Sequence, residues 1–378
     1  MNLDAFRKQM PVTRSWIYMD HAAVSPLPEP ARAALAEWAD DVAANGLVHI
    51  ARWIARIEEI RKQFGRLLNA DPLDVAFVKN TSEGVGIVAE GLPWEPGDNV
   101  VTVHDEYPAN VYPWMNLASR GVTLRQVGSQ PGGVVSLDDL DAAIDARTRV
   151  VTLSFVEFAT GFRNDLDAVG QLCRDRGALF FVDAIQGLGV LPIDVKRTPI
   201  DFLAADGHKW LLGPEGAGVF WMRRELIDQL RPVGVGWNSV VGAWEFSTID
   251  FRLKPHAGRY ESGTLNVGGT IAMGASLDLL LAVGVEVMEQ QILALTDRLC
   301  RRMHETNWHV FGRLTPESRS GIVSLEPPPG RNVADVARVM QNAGIVVNRR
   351  AGRLRISPHA YNTLEEIDRV VELLAKMG

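Results

Sequence analysis

The sequence predicts an α/β protein with a mostly parallel, doubly wound sheet in a large domain and a smaller α+β domain at the C-terminal end. Strand-like and helix-like segments alternate through the first two thirds of the chain, as expected for parallel strands joined by crossover helices. The chain has 378 residues and 47% hydrophobic content, so it can bury a large core and is expected to form two domains. We place the large domain at 15–265 and the small one at 266–378 together with 1–14.

The elements follow from apolar runs and helical periodicity. The segments that predict strands are 16–18, 75–78, 100–103, 122–127, 150–155, 178–182, 202–205, 217–222, 322–325, 345–348 and 354–357. The segments that predict helices are 30–68 with a break at Gly46, 81–92, 137–144, 165–176, 268–284, 286–306, 333–343 and 364–377. Residues 1–14 are predicted to be a short polar lead-in, and 232–255 a long loop rich in Gly and Trp.

Composition excludes several classes of function. The net charge is −7 and no long basic run is present, which argues against a nucleic-acid partner. No apolar run reaches about 18 residues and the first 30 residues lack a signal-peptide core, so we expect a cytoplasmic protein with no membrane partner. Cys173 shares an apolar helix face with Leu166, Val169 and Leu172, which indicates core packing. No metal site is predicted.

Two predicted strands end at charged residues. Segment 178–182 stops at Asp183, and 202–205 is followed by Asp206-Gly-His-Lys209. Parallel strands would bring both ends to one ligand-binding edge. Lys209 has small and apolar neighbours, so desolvation would lower its pKa and make it nucleophilic. A carboxylate about 4 Å from a ring nitrogen contributes about 4 kcal/mol at a dielectric of about 20, enough to keep a pyridine protonated. A lysine aldimine with an aspartate on a pyridinium is the arrangement of pyridoxal 5′-phosphate (PLP) enzymes.

The segments Asp183-Ala-Ile-Gln186 and Asp206-Gly-His-Lys209-Trp resemble the class V aminotransferase family, which includes cysteine desulfurases, kynureninases and isopenicillin N epimerases. The likeness covers almost the whole chain. It implies the fold of PLP-dependent aspartate aminotransferases, with PLP as cofactor, an amino acid as the small-molecule substrate, and a homodimer with shared active sites.

Within this resemblance, Lys209 is the aldimine lysine and Asp183 the partner of the ring nitrogen. Tyr107 stands where the family has an aromatic or imidazole ring stacked on the cofactor; a solvated tyrosine at a helix start is the alternative. Phe158 replaces the asparagine that family members keep near the phenolic oxygen, which leaves Gln186 to tune that oxygen.

The phosphate of PLP is assigned to a helix start at Thr81 and Ser82, where free backbone N–H groups would face an anion, although plain helix capping stays open. His208 is a second phosphate ligand. Thr264 matches a family threonine that binds the phosphate of the other subunit; an ordinary turn is the alternative. Asp206 replaces a serine, and because it would repel a phosphate, we expect it to turn away or pair with a cation.

Substrate binding is assigned to three residues. Arg355 resembles the family arginine that binds the α-carboxylate, and strand alternation would separate it from Leu354. One alternative is that Arg355 faces solvent. Another is that Arg349, Arg350 or Arg353 binds the α-carboxylate in its place. His21, in an N-terminal loop like the one that lies near the substrate in the family, and Asn110 complete the set.

The reaction remains open at this stage. Cysteine desulfurases of the family carry a catalytic cysteine just before the carboxylate-binding arginine, whereas segment 347–355 is short and has none. The sequence therefore favours transamination, epimerisation or elimination from an amino acid whose side chain it does not identify. A desulfurase-like or selenocysteine lyase-like C–S lyase is the alternative, and a non-catalytic PLP-binding regulatory protein is an alternative of another class.

Overall fold

The protein is described by a computed structural model that covers residues 1–312 and 315–377. The strands in this part of the chain are β1 (Ile17–Tyr18), β2 (Val75–Val78), β3 (Asn99–Val103), β4 (Thr123–Val127), β5 (Thr148–Ser154), β6 (Leu179–Asp183), β7 (Phe202–Asp206), β8 (Gly218–Met222), β9 (His309–Val310), β10 (Val323–Glu326), β11 (Ile345–Val346), β12 (Asn348–Arg350) and β13 (Arg353–Ile356). The helices are α1 (Leu3–Lys8), α2 (Glu29–Asn45), α3 (Ile50–Leu68), α4 (Thr81–Gly91), α5 (Tyr112–Met115), α6 (Leu137–Ala143), α7 (Leu166–Arg176), α8 (Val267–Val283), α9 (Val285–Met303), α10 (Val333–Asn342) and α11 (Leu364–Ala375).

The central sheet has seven strands in the order β2-β8-β7-β6-β5-β3-β4. Neighbouring strands are parallel from β7 to β4, and β8 runs antiparallel to both of its neighbours. All residues of β2, β3, β7 and β8 are buried, which is expected when helices cover both faces of a sheet. The predicted mostly parallel α/β architecture is therefore confirmed.

The parallel pairing of β6 with β7 places their carboxyl ends side by side. Asp183 is the last residue of β6 and is in register with Ala204, two residues before the end of β7. Helix α4 packs over this part of the sheet, and at Gly84 an added Cβ would clash with the Ala204 side chain. The close helix–sheet contact therefore fixes the start of α4 beside the two strand ends.

A smaller antiparallel sheet with the order β12-β13-β10-β9 lies in the C-terminal part. Strand β1 pairs in parallel with β11, and Ile17 and Met19 pack in the same apolar cluster as Leu354 and Ile356. The predicted domain division stays a prediction, although this packing joins residues 17–19 to the C-terminal part. Positions 313, 314 and 378 of the predicted small domain lie outside the described residues.

Several elements differ from the sequence-based expectation. Residues 3–8 form a helix where a polar lead-in was predicted, because Phe6 is fully buried and anchors it. The predicted strand 345–348 is divided into β11 and the start of β12. The 232–255 segment contains a short 3-10 turn at Trp237–Ser239 and a bridge between Val240 and Leu253.

Helix length and the placement of acidic, His and Cys side chains bear on membrane and metal binding in the described part of the chain. No single helix there is long and apolar enough to cross a membrane; α8 and α9 qualify only as a pair, with an 82° bend between them. No group of three or more His, Cys, Asp or Glu side chains is arranged to hold a metal ion among those residues.

Candidate active site

A cavity of about 300 Å³ opens at the carboxyl ends of β6 and β7. Eight of the residues assigned from the sequence line it: Thr81, Ser82, Tyr107, Asp183, Gln186, His208, Lys209 and Arg355. The other lining residues are Ala22, Ala23, Val24, Asn80, Ala109, Phe158, Ile185, Asp206 and Arg350. The position agrees with the general location of ligand sites in open α/β sheets.

Lys209 lies in the turn after β7 and is buried, with 8% of its surface exposed. Burial lowers the pKa of its amine from 10.5 to about 8, while the negative charge of Asp183 acts in the opposite direction. Its Nζ atom lies 5.5 Å from the centroid of the Tyr107 ring. A buried amine that is partly neutral near neutral pH can act as a nucleophile or as a base.

Asp183 is buried at the end of β6. Its Oδ1 atom accepts a hydrogen bond from the Ile185 backbone N–H at 3.0 Å, and Oδ2 accepts none from the residues that the structure describes. Burial raises the pKa of the carboxyl to about 6, and the nearby Lys209 charge opposes that rise. Because few hydrogen bonds and charges offset the burial of this carboxylate, it is suited to bind a positively charged atom of a ligand.

Gln186 is held by two hydrogen bonds. Its Oε1 atom accepts from Trp210 Nε1 at 2.9 Å, and its Nε2 atom donates to the Ala22 carbonyl at 3.1 Å. Since an amide nitrogen carries two hydrogens, one remains to donate into the cavity. Gln186 therefore meets the requirement for a donor to the phenolic oxygen of PLP.

The start of α4 forms the anion-binding end of the cavity. Asn80, rather than Thr81 or Ser82, is the N-cap and accepts from the Glu83 N–H at 2.9 Å. The backbone N–H groups of Thr81 and Ser82 donate to no residue in the part of the chain that the structure describes. The Thr81 hydroxyl oxygen accepts a hydrogen bond from the Asp206 backbone N–H at 3.1 Å, which connects the start of α4 to the end of β7. Free N–H groups at a helix start favour a phosphate.

Asp206 lines this end of the cavity and does not turn away from it. Its Oδ1 atom accepts from the Gly207 N–H at 2.7 Å, and Oδ2 lies 3.0 Å from His208 Nδ1. That distance permits an ion pair, but the angles are not those of a hydrogen bond, and Nδ1 has no other partner. Of the two expectations for Asp206, the geometry therefore matches pairing with a basic side chain, that of His208.

Tyr107 and Phe158 form the aromatic wall of the cavity. Their ring centroids are 5.2 Å apart with an interplanar angle of 74°, an edge-to-face contact. Tyr107 is 44% exposed, so its ring has a free face available for a planar ligand. Both residues follow central strands, and a buried glutamate precedes each of them: Glu106 and Glu157.

Arg355 projects from β13 and is 1% exposed. Nη1 donates to the Phe158 carbonyl at 3.0 Å, Nη2 donates to Asp20 Oδ1 at 3.3 Å, and Nε is buried without a partner. Burial lowers the pKa of the guanidinium to about 10, and the charge of Asp20 opposes that change. The alternative of a solvent-facing arginine is therefore wrong, and a charged donor faces the cavity.

Three assigned residues lie outside the cavity. Asn110 is buried behind the wall, where its Oδ1 accepts from Thr152 Oγ1 at 2.6 Å and from Trp114 Nε1 at 3.3 Å. Thr264 is exposed on the surface before α8. The roles of both residues stay predictions, and the position of Asn110 does not favour direct contact with a substrate.

His21 is fully buried among aromatic rings and does not line the cavity. Its Nδ1 atom lies 2.9 Å from the Ser357 carbonyl oxygen and its Nε2 atom 2.7 Å from the Tyr361 hydroxyl. Burial lowers the pKa of the imidazole well below its usual value. A neutral histidine that bridges two chain segments explains this position without a substrate contact.

Sequence reasoning missed Asp20 and Arg350. Asp20 is paired with Arg355, which is 335 residues away in the chain, so no local pattern announces the contact. Arg350 was weighed only as a rival to Arg355, whereas both line the cavity. The tandem Arg349-Arg350 just before the hairpin turn was the available signal.

The cavity fits PLP on its own chemistry. A partly compensated buried carboxylate at Asp183 suits a protonated pyridine nitrogen, and the free N–H groups of Thr81 and Ser82 suit a phosphate. Lys209 is the buried amine needed for covalent attachment. Asp206 lies at the phosphate end of the cavity, and its charge opposes a phosphate there.

Comparison with known proteins gives a consistent result. The sequence profile described as Aminotransferase class-V matches residues 17–370. A probable cysteine desulfurase of Methanothermobacter thermautotrophicus is 31% identical and covers 100% of this chain and 98% of its own. A cysteine desulfurase of Klebsiella pneumoniae is 31% identical over 95% of this chain and 93% of its own. The apo structure of a cysteine desulfurase from Thermococcus onnurineus NA1 superposes with a TM-score of 0.90 at 28% identity, covering 99% of this chain and 97% of that one.

Proposed function

Because the chain belongs to the class V aminotransferase family and is therefore a PLP-dependent enzyme, we propose that it cleaves the Cβ–S bond of a sulfur-containing amino acid by β-elimination. Relatives that match almost the whole chain are named cysteine desulfurases, which supports a sulfur-containing substrate. Of the reactions that the sequence left open, the proposal selects elimination, and it agrees with the C–S lyase alternative.

The observation that carries the proposal is the position of the two cysteines. Cys173 on α7 is 1% exposed, and Cys300 on α9 lines a separate recess with Met303 and Trp308. Burial raises the pKa of Cys173 to about 12 and that of Cys300 to about 11, so neither is a reactive thiolate. No cysteine is among the described residues that line the active cavity.

The hairpin that precedes Arg355 supports the same conclusion. Strands β12 and β13 are joined by only Ala351 and Gly352, with φ angles of 48° and 75°. Such a two-residue turn is among the shortest hairpin connections and leaves no extended loop that could carry a thiol into the cavity. Sulfur therefore leaves with the departing group and is not transferred to an enzyme cysteine.

Three residues of the chain each perform a different part of the elimination. Arg355 binds the α-carboxylate, Lys209 takes the proton from Cα, and Asp183 holds a proton at the pyridine nitrogen. When bound here, PLP supplies the electron sink that allows the Cα–H bond to ionise. Tyr107 and Phe158 would form the aromatic wall beside the bound cofactor and substrate.

The elimination balances without an added oxidant or reductant. The Cα–H and Cβ–S bonds break, the proton passes to Lys209, and the sulfur departs with the electron pair of its bond. The carbon skeleton leaves as 2-aminoacrylate, which water converts to pyruvate and ammonia. Pyruvate is thus the product that distinguishes this route.

The test is to identify the carbon product by mass spectrometry after incubating the holoenzyme with L-cysteine, L-cystine and S-substituted cysteines. Pyruvate formed in equal amount with the released sulfur product (sulfide from L-cysteine, a persulfide from L-cystine, a thiol from an S-substituted cysteine), and absent with Lys209→Ala, is the expected result. Alanine would indicate desulfuration, a keto acid that retains sulfur would indicate transamination, and a D-amino acid would indicate epimerisation. Any of these as the main product would replace elimination with that reaction.

A further inference from the structure

A second arginine lines the substrate side of the cavity. Of the four arginines at 349, 350, 353 and 355, Arg349 is exposed outside the cavity, and Arg353 lies over the Phe311 ring at 3.6 Å. Of these four arginines, Arg350 and Arg355 line the cavity as the structure describes it. One α-carboxylate needs only one bidentate guanidinium, so the second requires its own explanation.

Arg350 differs from Arg355 in its partners. Arg355 has Asp20 at 3.3 Å, whereas Arg350 forms no ion pair with any residue in the described part of the chain. Its Nη1 atom donates to Asn348 Oδ1 at 3.1 Å and to the Arg349 carbonyl at 2.8 Å, and both acceptors are neutral. These two bonds orient the side chain and leave Nε and Nη2 available.

Both carboxylate oxygens of Asp20 are hydrogen-bonded to residues other than Arg350, although the charges of Asp20 and Arg350 still attract each other. Its Oδ1 atom accepts from Arg355, and its Oδ2 atom accepts from Asn348 Nδ2 at 2.6 Å. The network therefore runs from Arg355 through Asp20 and Asn348 to Arg350 and contains two positive charges and one negative charge.

The other two acidic residues described in the cavity lining, Asp183 and Asp206, also form no ion pair with Arg350. Asp183 lies at the end of β6 on the cofactor side, and Asp206 lies beside His208 near the start of α4. After burial, which is the largest cause, the Arg350 charge is among the groups that lower the pKa of both Lys209 and Arg355. An anion beside Arg350 would relieve this repulsion between like charges.

From this arrangement we infer that the substrate carries a second acidic group beyond its α-carboxylate, bound by Arg350. This inference rests on the proposed elimination and specifies its substrate class: a cysteine whose sulfur bears a short acidic substituent, such as a carboxylate or a sulfonate. Elimination then releases an acidic thiol, or thiosulfate from an S-sulfonate, together with pyruvate and ammonia.

Two ligands of nearly equal size can separate the effect of the substituent's negative charge from the effect of its size. S-carboxymethyl-L-cysteine and S-carbamoylmethyl-L-cysteine differ by a carboxylate and an amide of nearly equal size. The catalytic efficiency of the holoenzyme is expected to be at least tenfold higher for the acid. Arg350→Gln should remove this preference by lowering only the rate for the acid, Arg350→Lys should retain part of it, and Arg349→Gln, the neighbouring exposed control, should leave it unchanged.

Calorimetry on the PLP-loaded Lys209→Ala variant measures binding without turnover. Tighter binding of the acid than of the amide, lost when Arg350→Gln is added, is the expected result. If neither ligand is turned over but this binding preference persists, the proposed elimination fails and the acidic-group site stands. Equal binding of both ligands, or a preference unaffected by Arg350→Gln, would overturn the inference.

Discussion

Arg355 and Asp20 form a buried ion pair in the wall of the cavity, with 3.3 Å between Nη2 and Oδ1. The Arg355 side chain is 1% exposed, and that of Asp20 is 10% exposed. Burial raises the pKa of Asp20 and lowers that of Arg355 to about 10, and each charge opposes the shift of the other. The pair therefore retains a charged guanidinium at a position where desolvation disfavours it.

Replacing Arg355 with lysine tests this arrangement. Lysine keeps the charge but lacks the planar fork that grips a carboxylate and reaches both Asp20 and the Phe158 carbonyl. Losing a desolvated charged pair costs roughly 2 to 5 kcal/mol, so Arg355→Lys should lower kcat/KM for amino acids at least tenfold. The visible spectrum of bound PLP should not change. Unaltered kinetics would move the carboxylate site to another arginine.

The sequence predicted the part of the site that depends on neighbouring strands. Asp183 and Lys209 follow apolar runs that end where the structure ends β6 and β7, and parallel pairing alone brings them together. The start of α4 at Thr81 was likewise predicted from the end of β2. These positions follow from the periodicity of apolar residues and from turn-forming residues, and both signals act over only a few residues.

The parts that the sequence did not predict depend on contacts between distant segments. His21 was assigned to the substrate, and that role stays a prediction, but the sequence did not predict the contacts of its ring with Ser357 and Tyr361, more than 300 residues later. Helix α1 is short and depends on Phe6 packing against His359 and Tyr361. Isolated helices of this length are marginal, so local propensity could not predict it.

The low pKa of Lys209 predicts how PLP attaches to the cofactor-free protein. The neutral amine is the nucleophile, so the attachment rate should rise with pH and level off above about 8, rather than near the usual 10.5. Because Asp183 raises this pKa, Asp183→Asn should move the midpoint to lower pH. Stopped-flow absorbance gives the midpoint. Borohydride reduction and mass spectrometry should place the pyridoxyl group on Lys209, and a label on any other lysine would contradict the assignment.

The absence of a thiol from the cavity predicts the behaviour of a double cysteine variant. Cys173→Ala combined with Cys300→Ala should keep the C–S cleavage rate, because both side chains lie away from the reacting atoms. The Cys173 change is expected to cost about 1 kcal/mol of stability or more, since it opens a small space in the core. Thermal unfolding should therefore be compared with activity at a temperature where both proteins are folded. Loss of a robust activity under those conditions would restore a cysteine-dependent mechanism.

The position of Thr264 predicts that two subunits share each site. Thr264 is exposed before α8 and does not reach the cavity of its own chain, whereas the family motif assigns its threonine to the phosphate of the other subunit. We therefore expect a homodimer in which Lys209→Ala and Thr264→Ala each impair every site of their own homodimer. Mixing the two variants should recover activity, because each heterodimer then has one intact site and one site with both changes. Sedimentation should show a dimer throughout, and a mixture that regains no activity would mean that each subunit completes its own phosphate site.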